Sequence, residues 1–356
     1  MKRVTIKDVA ERAGVSYGTV SRALSDHPEI SEATKRRIRD LCEEMGYVPN
    51  MAARGLVKQS TQVIGLIVPD VSNPFFSEIA LEIEMTARAK GYHILVCNTT
   101  RSTEWEYEAA EQLLRQQIDG LIISPVTPES MARVQELCGS LPLVCMGDNH
   151  NGGCTYVSND NVRGGYIGGR YLTQLGHRQI AFIGGRTTSN TNRLRTEGFR
   201  RAMAEAGCEG IVVECPPEMD DNRRYNELAH QFLADRPPVT AIFSYSDRFA
   251  LGVMQAASEL GLRIPEDLSL LGYDNIVYAS LPRINLTSIS HHKRTLGRMA
   301  VNRLIARIEG DTAEYHDILE PELIIRGTCR GIRYSLLIFL QFFGLFCTLA
   351  KNGTIS

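Results

Sequence analysis

The sequence predicts an α/β protein: a small three-helix head, then a much longer body of doubly wound parallel sheet. Three observations predict it. The chain has 356 residues, too many for one ordinary domain. Its first 46 residues read as three short helices. From Val63 onward, short apolar runs alternate with amphipathic helical runs, the pattern of strands and crossover helices that layer a parallel sheet between helices.

The head begins with VTIKDVAERAGVSYGTVSRAL, residues 4–24. Ile6, Val9 and Ala10 lie three and four residues apart, on one face of a helix over Thr5 to Arg12. Gly14 allows a sharp turn. Ser16 is placed to cap a second helix. That helix turns Val20, Ala23 and Leu24 inward and leaves Tyr17, Gly18, Thr19, Ser21 and Arg22 outward. Two helices joined by a tight turn, the second polar and basic outside, describe a helix-turn-helix that reads DNA. Gly14 to Gly18 also fits G-x-S-x-G, but a hydrolase elbow needs a buried strand before the serine. An amphipathic helix stands there instead. A third helix is expected from Ser31 to Met45, with Ile38, Leu41, Cys42 and Met45 inward and Gly46 stopping it.

Pro49 to Leu56 reads PNMAARGL, a helix of about two turns that is marginal on its own. Lys58 to Gln62 is polar linker. In the body, strands are expected at 63–68, 93–97, 120–124, 143–146, 179–183, 211–213, 241–244 and 269–271. Helices are expected near 76–90, 103–117, 130–138, 162–175, 194–206, 222–234, 248–260 and 294–308. The pattern breaks near Ser158 to Asn161, which suggests two sheets. Ligands of such sheets bind at the carboxyl ends of the strands. Gly164, Gly165, Gly168 and Gly169 fall inside a helical run and mark close packing.

Hydrophobic residues make up 43% and charged residues 22%, an ordinary globular composition. Net charge is −2, yet residues 1–60 hold 11 Lys/Arg against 8 Asp/Glu. A basic head on an acidic body suits local contact with phosphates. The nine cysteines lack C-x-x-C spacing, so reduced thiols are expected, not a disulfide framework or zinc site. His291-His292 has no further ligands and is not expected to hold a metal. MKRVTIKDV lacks a signal peptide's apolar run, so a cytoplasmic location is expected. No P-loop, H-E-x-x-H or G-x-G-x-x-G motif appears, and neither an enzyme nor a cofactor is expected.

TIKDVAERAGVSYGTVSRAL resembles the amino terminus of the lactose/galactose repressor (LacI/GalR) family. The likeness continues through YVPNMAARGL, IGLIVPDVSNPFF, GGRYLTQLGHRQIAFIGG, DRFALGVMQA, IPEDLSLLGYDN and ELIIRGT, covering about residues 3 to 330. Several spaced motifs in one order are more specific than any one alone.

The resemblance implies a periplasmic-binding-protein-like core and the following layout. Residues 1–46 form the DNA-binding domain, 47–61 the hinge helix and linker, and 62–330 the effector and dimerisation core. Within the core, one subdomain takes about 62–160 and 291–319, the other about 161–290 and 320–330. Residues 331–356 form an atypical hydrophobic tail. Relatives end soon after a segment like ELIIRGT, whereas Ile332 to Ala350 here reads IRYSLLIFLQFFGLFCTLA. A membrane anchor, an extra packed helix and an altered reading frame are the three readings; the last is favoured, since nothing in the tail continues the body's pattern.

The resemblance also implies a repressor that binds a near-palindromic operator as a homodimer or tetramer, controlled by a small effector, most often a sugar. Tyr17, Gly18 and Arg22 occupy base-reading positions, and Thr5, Ser16, Thr19, Ser21 and Asn50 phosphate-gripping ones. Gly18 offers no side chain, so one usual base contact is missing. Leu56 matches a leucine that wedges into the minor groove. Asn73, Phe75, Asp148, Arg195, Asp247 and Asp274 are the expected effector ligands, with Asp247 serving equally well as a helix cap. Met219 and His291 fall nearby, with looser flanking motifs. Related regulators have shifted to purines or phosphosugars with few changes. The alternatives are a solute-binding protein, a sugar-metabolising enzyme on the same fold, or a membrane-held regulator.

Overall fold

The computed structural model describes residues 4–47, 60–148, 150, 153–215, 225–235 and 237–332. Asn50, Leu56, Met219 and the tail beyond Ile332 lie outside the described residues. The chain divides into two compact units, residues 1–61 and 62–356.

The first unit is three helices: α1 (Ile6–Ala13), α2 (Tyr17–Leu24) and α3 (Glu32–Glu44). Each start is capped by a hydroxyl. Thr5 and Asp8 form a reciprocal capping box, and Ser16 and Ser31 accept from the N–H groups of Thr19 and Thr34. Gly14 ends α1 at φ 62°, a conformation that favours glycine. Ser16 therefore faces a backbone N–H, not a sheet, and the elbow motif has no strand beneath it. Val9, Ala13, Val20, Ala23 and Ile38 fill one small core, with Leu24, Leu41 and Met45 partly buried around it.

The second unit holds two six-stranded sheets. The first uses β1 (Val63–Val68), β2 (His93–Asn98), β3 (Gly120–Ile123), β4 (Leu143–Met146) and β5 (Thr155–Asn159). Helices α4 (Pro74–Ala89), α5 (Thr103–Arg115) and α6 (Pro128–Cys138) connect its first four strands. The second uses β6 (Gln179–Arg186), β7 (Glu209–Cys215), β8 (Ala241–Ser244), β9 (Ser269–Asp274) and β10 (Thr287–Ser290). Helix α7 (Asn161–Gln174) leads into it, and α8 (Asn190–Ala206), α9 (Tyr225–Ala234) and α10 (Asp247–Glu259) serve its crossovers. The chain then returns through α11 (Lys293–Ile308) to β11 (His316–Leu319) beside β5, and ends the fold on β12 (Glu322–Ile324) beside β10. All pairings are parallel except β10 with β12. The orders are β11-β5-β4-β3-β1-β2 and β12-β10-β9-β8-β6-β7.

The central strands of both sheets are buried on both faces, as crossover helices require, while the edge strands are partly exposed. Ile79, Ile83, Leu296 and Leu304 cover one face of the first sheet, and Ala110, Leu113, Met131 and Val134 the other. Phe249 and Val253 cover one face of the second, and Leu172, Phe199 and Met203 the other. Helices α7 and α8 touch backbone to backbone. A Cβ at Gly165 would lie 2.0 Å from the Arg195 carbonyl oxygen, and one at Gly198 1.9 Å from that of Val162. The glycines of the α7 run are thus a packing device, which seats the helix carrying Arg195.

Four strands were not expected as such. β5, β10, β11 and β12 read TYVSN, TSIS, HDIL and ELI, short and half polar, and stand where the sequence showed only a break or a crossing. Their pairing partners, not their own residues, make them strands.

Candidate functional site

A cavity opens between the two sheets at the carboxyl ends of their strands, enclosing about 790 Å³ with its open mouth included. Its place, where the strands of both sheets end, is where ligands of doubly wound folds bind. Asn73, Phe75, Asp148, Arg195, Asp274 and His291 all line it.

Arg195 is its electrostatic centre. The residue is 4% exposed, on the second turn of α8. Its Nε donates to Asn161 Oδ1 at 2.8 Å and its Nη1 to the Tyr245 carbonyl at 2.5 Å. Nη2 lies 3.4 Å from Asp274 Oδ1 and 2.8 Å from His291 Nε2. The guanidinium also stacks 3.6 Å from the Tyr273 ring centroid. Burial works against the charge, but Asp274, the phenols of Tyr273 and Tyr245, and Asp148 outweigh it and raise the pKa. Burial holds His291 below the ordinary imidazole range, so the ring is neutral near pH 7. The same Nε2 lies 3.1 Å from Asp274 Oδ1, while Nδ1 is buried and has no hydrogen-bond partner.

Asp148 follows β4. It accepts from Ser158 Oγ and Asn161 Nδ2, both at 2.6 Å, and from Thr191 Oγ1 at 3.3 Å. Asn190 Nδ2 reaches the Asp148 carbonyl at 2.7 Å. Because α8 belongs to the second sheet, these bonds tie the two sheets across the cavity. Asn73 is the N-cap of α4, its Oδ1 accepting from the Phe75 N–H, and the Phe75 ring lies 5.2 Å from that of His291.

Asp247 is set apart from the other expected ligands. It is fully buried and is not among the residues lining the cavity. Ser246, one residue earlier, is the cap of α10, so Asp247 does not cap the helix either. Its carboxylate accepts from Ser288 Oγ at 2.6 Å and from the Ile276 N–H at 2.8 Å. Burial, with help from Asp274, pushes its pKa up to about 8. The residue braces the loop after Asp274. Sequence reasoning missed Asn161, Thr191, Tyr245 and Arg248, which also line the cavity. Their position just past strand ends was the available signal.

On the head, Tyr17 is 50% exposed and Arg22 is exposed beside it. Arg22 Nε donates to the Gly18 carbonyl at 3.3 Å and Nη1 pairs with Glu29 at 3.2 Å. Thr5 and Ser16 are occupied as helix caps, and Thr19 Oγ1 meets Ser16 Oγ at 2.9 Å. Ser21 is half-buried on α2. Among the described residues no cluster of His, Cys, Asp or Glu could hold a metal. No described helix is long and apolar enough to cross a membrane.

Known proteins match both units. The model for bacterial regulatory proteins of the lacI family matches residues 5–50. The model for periplasmic binding proteins and the sugar binding domain of the LacI family matches residues 61–328. The HTH-type transcriptional repressor PurR of Pectobacterium atrosepticum is 35% identical, over 90% of this chain and 96% of that one. The lac repressor dimer bound to operator and the anti-inducer ONPF has a TM-score of 0.82 at 28% identity, covering 93% of this chain and 100% of that one. The complex of the transcriptional regulator CelR with cellobiose has a TM-score of 0.68 at 27% identity, covering 92% and 100%. A capped helix-turn-helix head, two doubly wound sheets around a charged cavity, and family matches over nearly all of both units lead to one conclusion: the chain belongs to the LacI family of bacterial regulatory proteins.

Proposed function

We propose that this LacI-family repressor is switched by a sugar held between its two sheets. The observation that carries the reading is the charged set Arg195, Asp274 and Asp148, lining one cavity with the Phe75 ring. Vicinal hydroxyls need planar two-pronged donors and acceptors, and a sugar ring needs an apolar face. The unpartnered Nδ1 of His291 adds a polar ring nitrogen that a ligand hydroxyl can meet as donor or acceptor. The cellobiose bound by CelR supports the class, not the compound. Asn73, Phe75, Asp148, Arg195 and Asp274 are the effector ligands in this reading, with Asp247 bracing Asp274 from behind.

Tyr17, Gly18 and Arg22 face base edges, while Thr5, Ser16, Thr19, Ser21 and Asn50 grip phosphates and Leu56 wedges the minor groove. Residues 1–46 are the reading head, 47–61 the hinge and 62–330 the effector core of a cytoplasmic regulator. A second copy covers two sets of exposed apolar residues, Leu81 and Met85 on α4, and Val277, Tyr278 and Leu281. The Val277 N–H donates to Glu78 on α4 at 3.0 Å, so the two sets are linked across the sheets. A ligand that changes how the sheets close changes how two copies meet, and hence whether the hinge favours operator.

A thermal-shift screen of the purified chain against cellobiose, ribose, other sugars, sugar phosphates and purine bases tests the effector class. Stabilisation by a sugar supports it. Stabilisation by a purine base alone overturns it.

A further inference from the structure

We infer that Asp70 is a positioning residue for the effector cavity: it shapes the loop that presents Asn73 and Phe75 and, through Arg248, clamps that loop to the opposite sheet. The inference rests on the effector reading above, but on no particular effector.

Asp70 lies two residues beyond β1 in the first sheet. Its Oδ1 accepts from the Ser72 N–H at 3.0 Å and the Ser72 hydroxyl at 2.6 Å, and its carbonyl accepts from the Asn73 N–H at 3.2 Å. Those bonds fold the chain back so that Asn73 caps α4 and Phe75 meets the cavity. Its Oδ2 does something different. It takes Arg248 Nη1 at 2.7 Å, and the same nitrogen lies 3.3 Å from Ser72 Oγ.

Arg248 stands in the first turn of α10, after β8 of the second sheet, and lines the cavity. The two side chains are 10% and 24% exposed. A charge-assisted bond this short and this shielded is stronger than a surface ion pair. It joins residues 178 positions apart, on different sheets. Separating the sheets at this edge of the cavity breaks it.

The pair therefore favours the closed cavity before any ligand arrives. A binding site that is closed only part of the time loses apparent affinity by that fraction, so Asp70, which does not itself line the cavity, sets through Arg248 how tightly an effector is held. The ties through Asp148 and Glu78 stay in place when the Asp70 pair is lost, so the expected opening is local to this edge.

Hydrogen exchange of the full-length, ligand-free protein tests the inference with neither effector nor DNA present, so it stands or falls apart from the effector assignment. Asp70→Asn keeps an oxygen for Ser72 and removes the charge facing Arg248. Arg248→Met removes the other partner and keeps the stem. Each variant is expected to speed exchange about tenfold in both 71–76 and 246–250, and the double variant to add little, since both break one interaction. Arg248→Lys is expected to recover most of the protection. Faster exchange at 71–76 alone would reduce Asp70 to a local turn former, and additive effects or wild-type exchange in Asp70→Asn would equally overturn the clamp.

Discussion

Arg195 Nη2 and Asp274 Oδ1 lie 3.4 Å apart inside the cavity, with side chains only 5% and 6% exposed. Neither charge is tolerable there alone. Arg195→Met is expected to leave the buried Asp274 carboxylate without its guanidinium partner, and breaking a buried pair from one side costs about 3–5 kcal/mol. Calorimetric melting should show a large loss of stability in the core, and thermal shift should show no response to any effector of the parent protein. A variant as stable as the parent would mean that Asp274 is neutralised by something other than Arg195.

Asp247 gives a pH signature. Its folded-state pKa is pushed up to about 8, well above the unfolded carboxyl value. The folded state thus holds a proton that the unfolded state has released. This contribution to stability is fully present at acid pH and is lost as pH rises from about 4 towards 8. Asp247→Asn imitates the protonated form and can still serve Ile276 and Ser288. Melting temperature measured from pH 5 to 9 should match the parent at pH 5 and exceed it at pH 8.5; parallel curves would refute the buried proton.

The head offers two opposed substitutions. A Cβ at Gly18 would meet only ordinary contacts, with Arg22 Nη2 and Ser16 Oγ each at 3.8 Å. Gly18→Ala should therefore raise the head's stability by about 0.5–1 kcal/mol while altering operator preference. The Arg22 guanidinium pairs with an exposed partner, Glu29, and its Nε with the Gly18 carbonyl, exposed contacts that yield easily to DNA. Arg22→Ala should cost about 1–3 kcal/mol of discrimination between operator and unrelated duplex. Anisotropy on both duplexes checks each variant.

Leu81 and Met85 are 58% and 61% exposed on the outer face of α4. Met85→Glu should shift sedimentation towards the monomer and weaken operator binding sharply, because two linked heads gain affinity from one another. An unchanged sedimentation coefficient would place the contact between copies elsewhere.

The sequence was most legible where local chemistry decides. Hydroxyl caps, a turn glycine and 3.6-residue spacing located all three helices of the head, and short apolar runs located eight strands. It was least legible where distant pairing decides. TYVSN and TSIS become strands only because a neighbour lies alongside. Asp247 looked like a cap or a ligand because nothing local reveals that its carboxylate turns to Ser288, 41 positions away. The Asp70–Arg248 pair was hidden for the same reason, while Arg195 and Asp274 were found through family motifs and not through their own chemistry.

The central claim is that occupancy of the cavity alters grip on DNA. Coupling of this kind is reciprocal and shows directly in operator binding. The decisive measurement is fluorescence anisotropy of operator duplex titrated with the full chain, with and without the sugar that most stabilises it in the thermal screen, for the parent and for Arg195→Met. The account predicts an operator affinity that moves about tenfold or more with sugar in the parent and not at all in Arg195→Met. Superimposable curves in the parent, at saturating sugar, would contradict it.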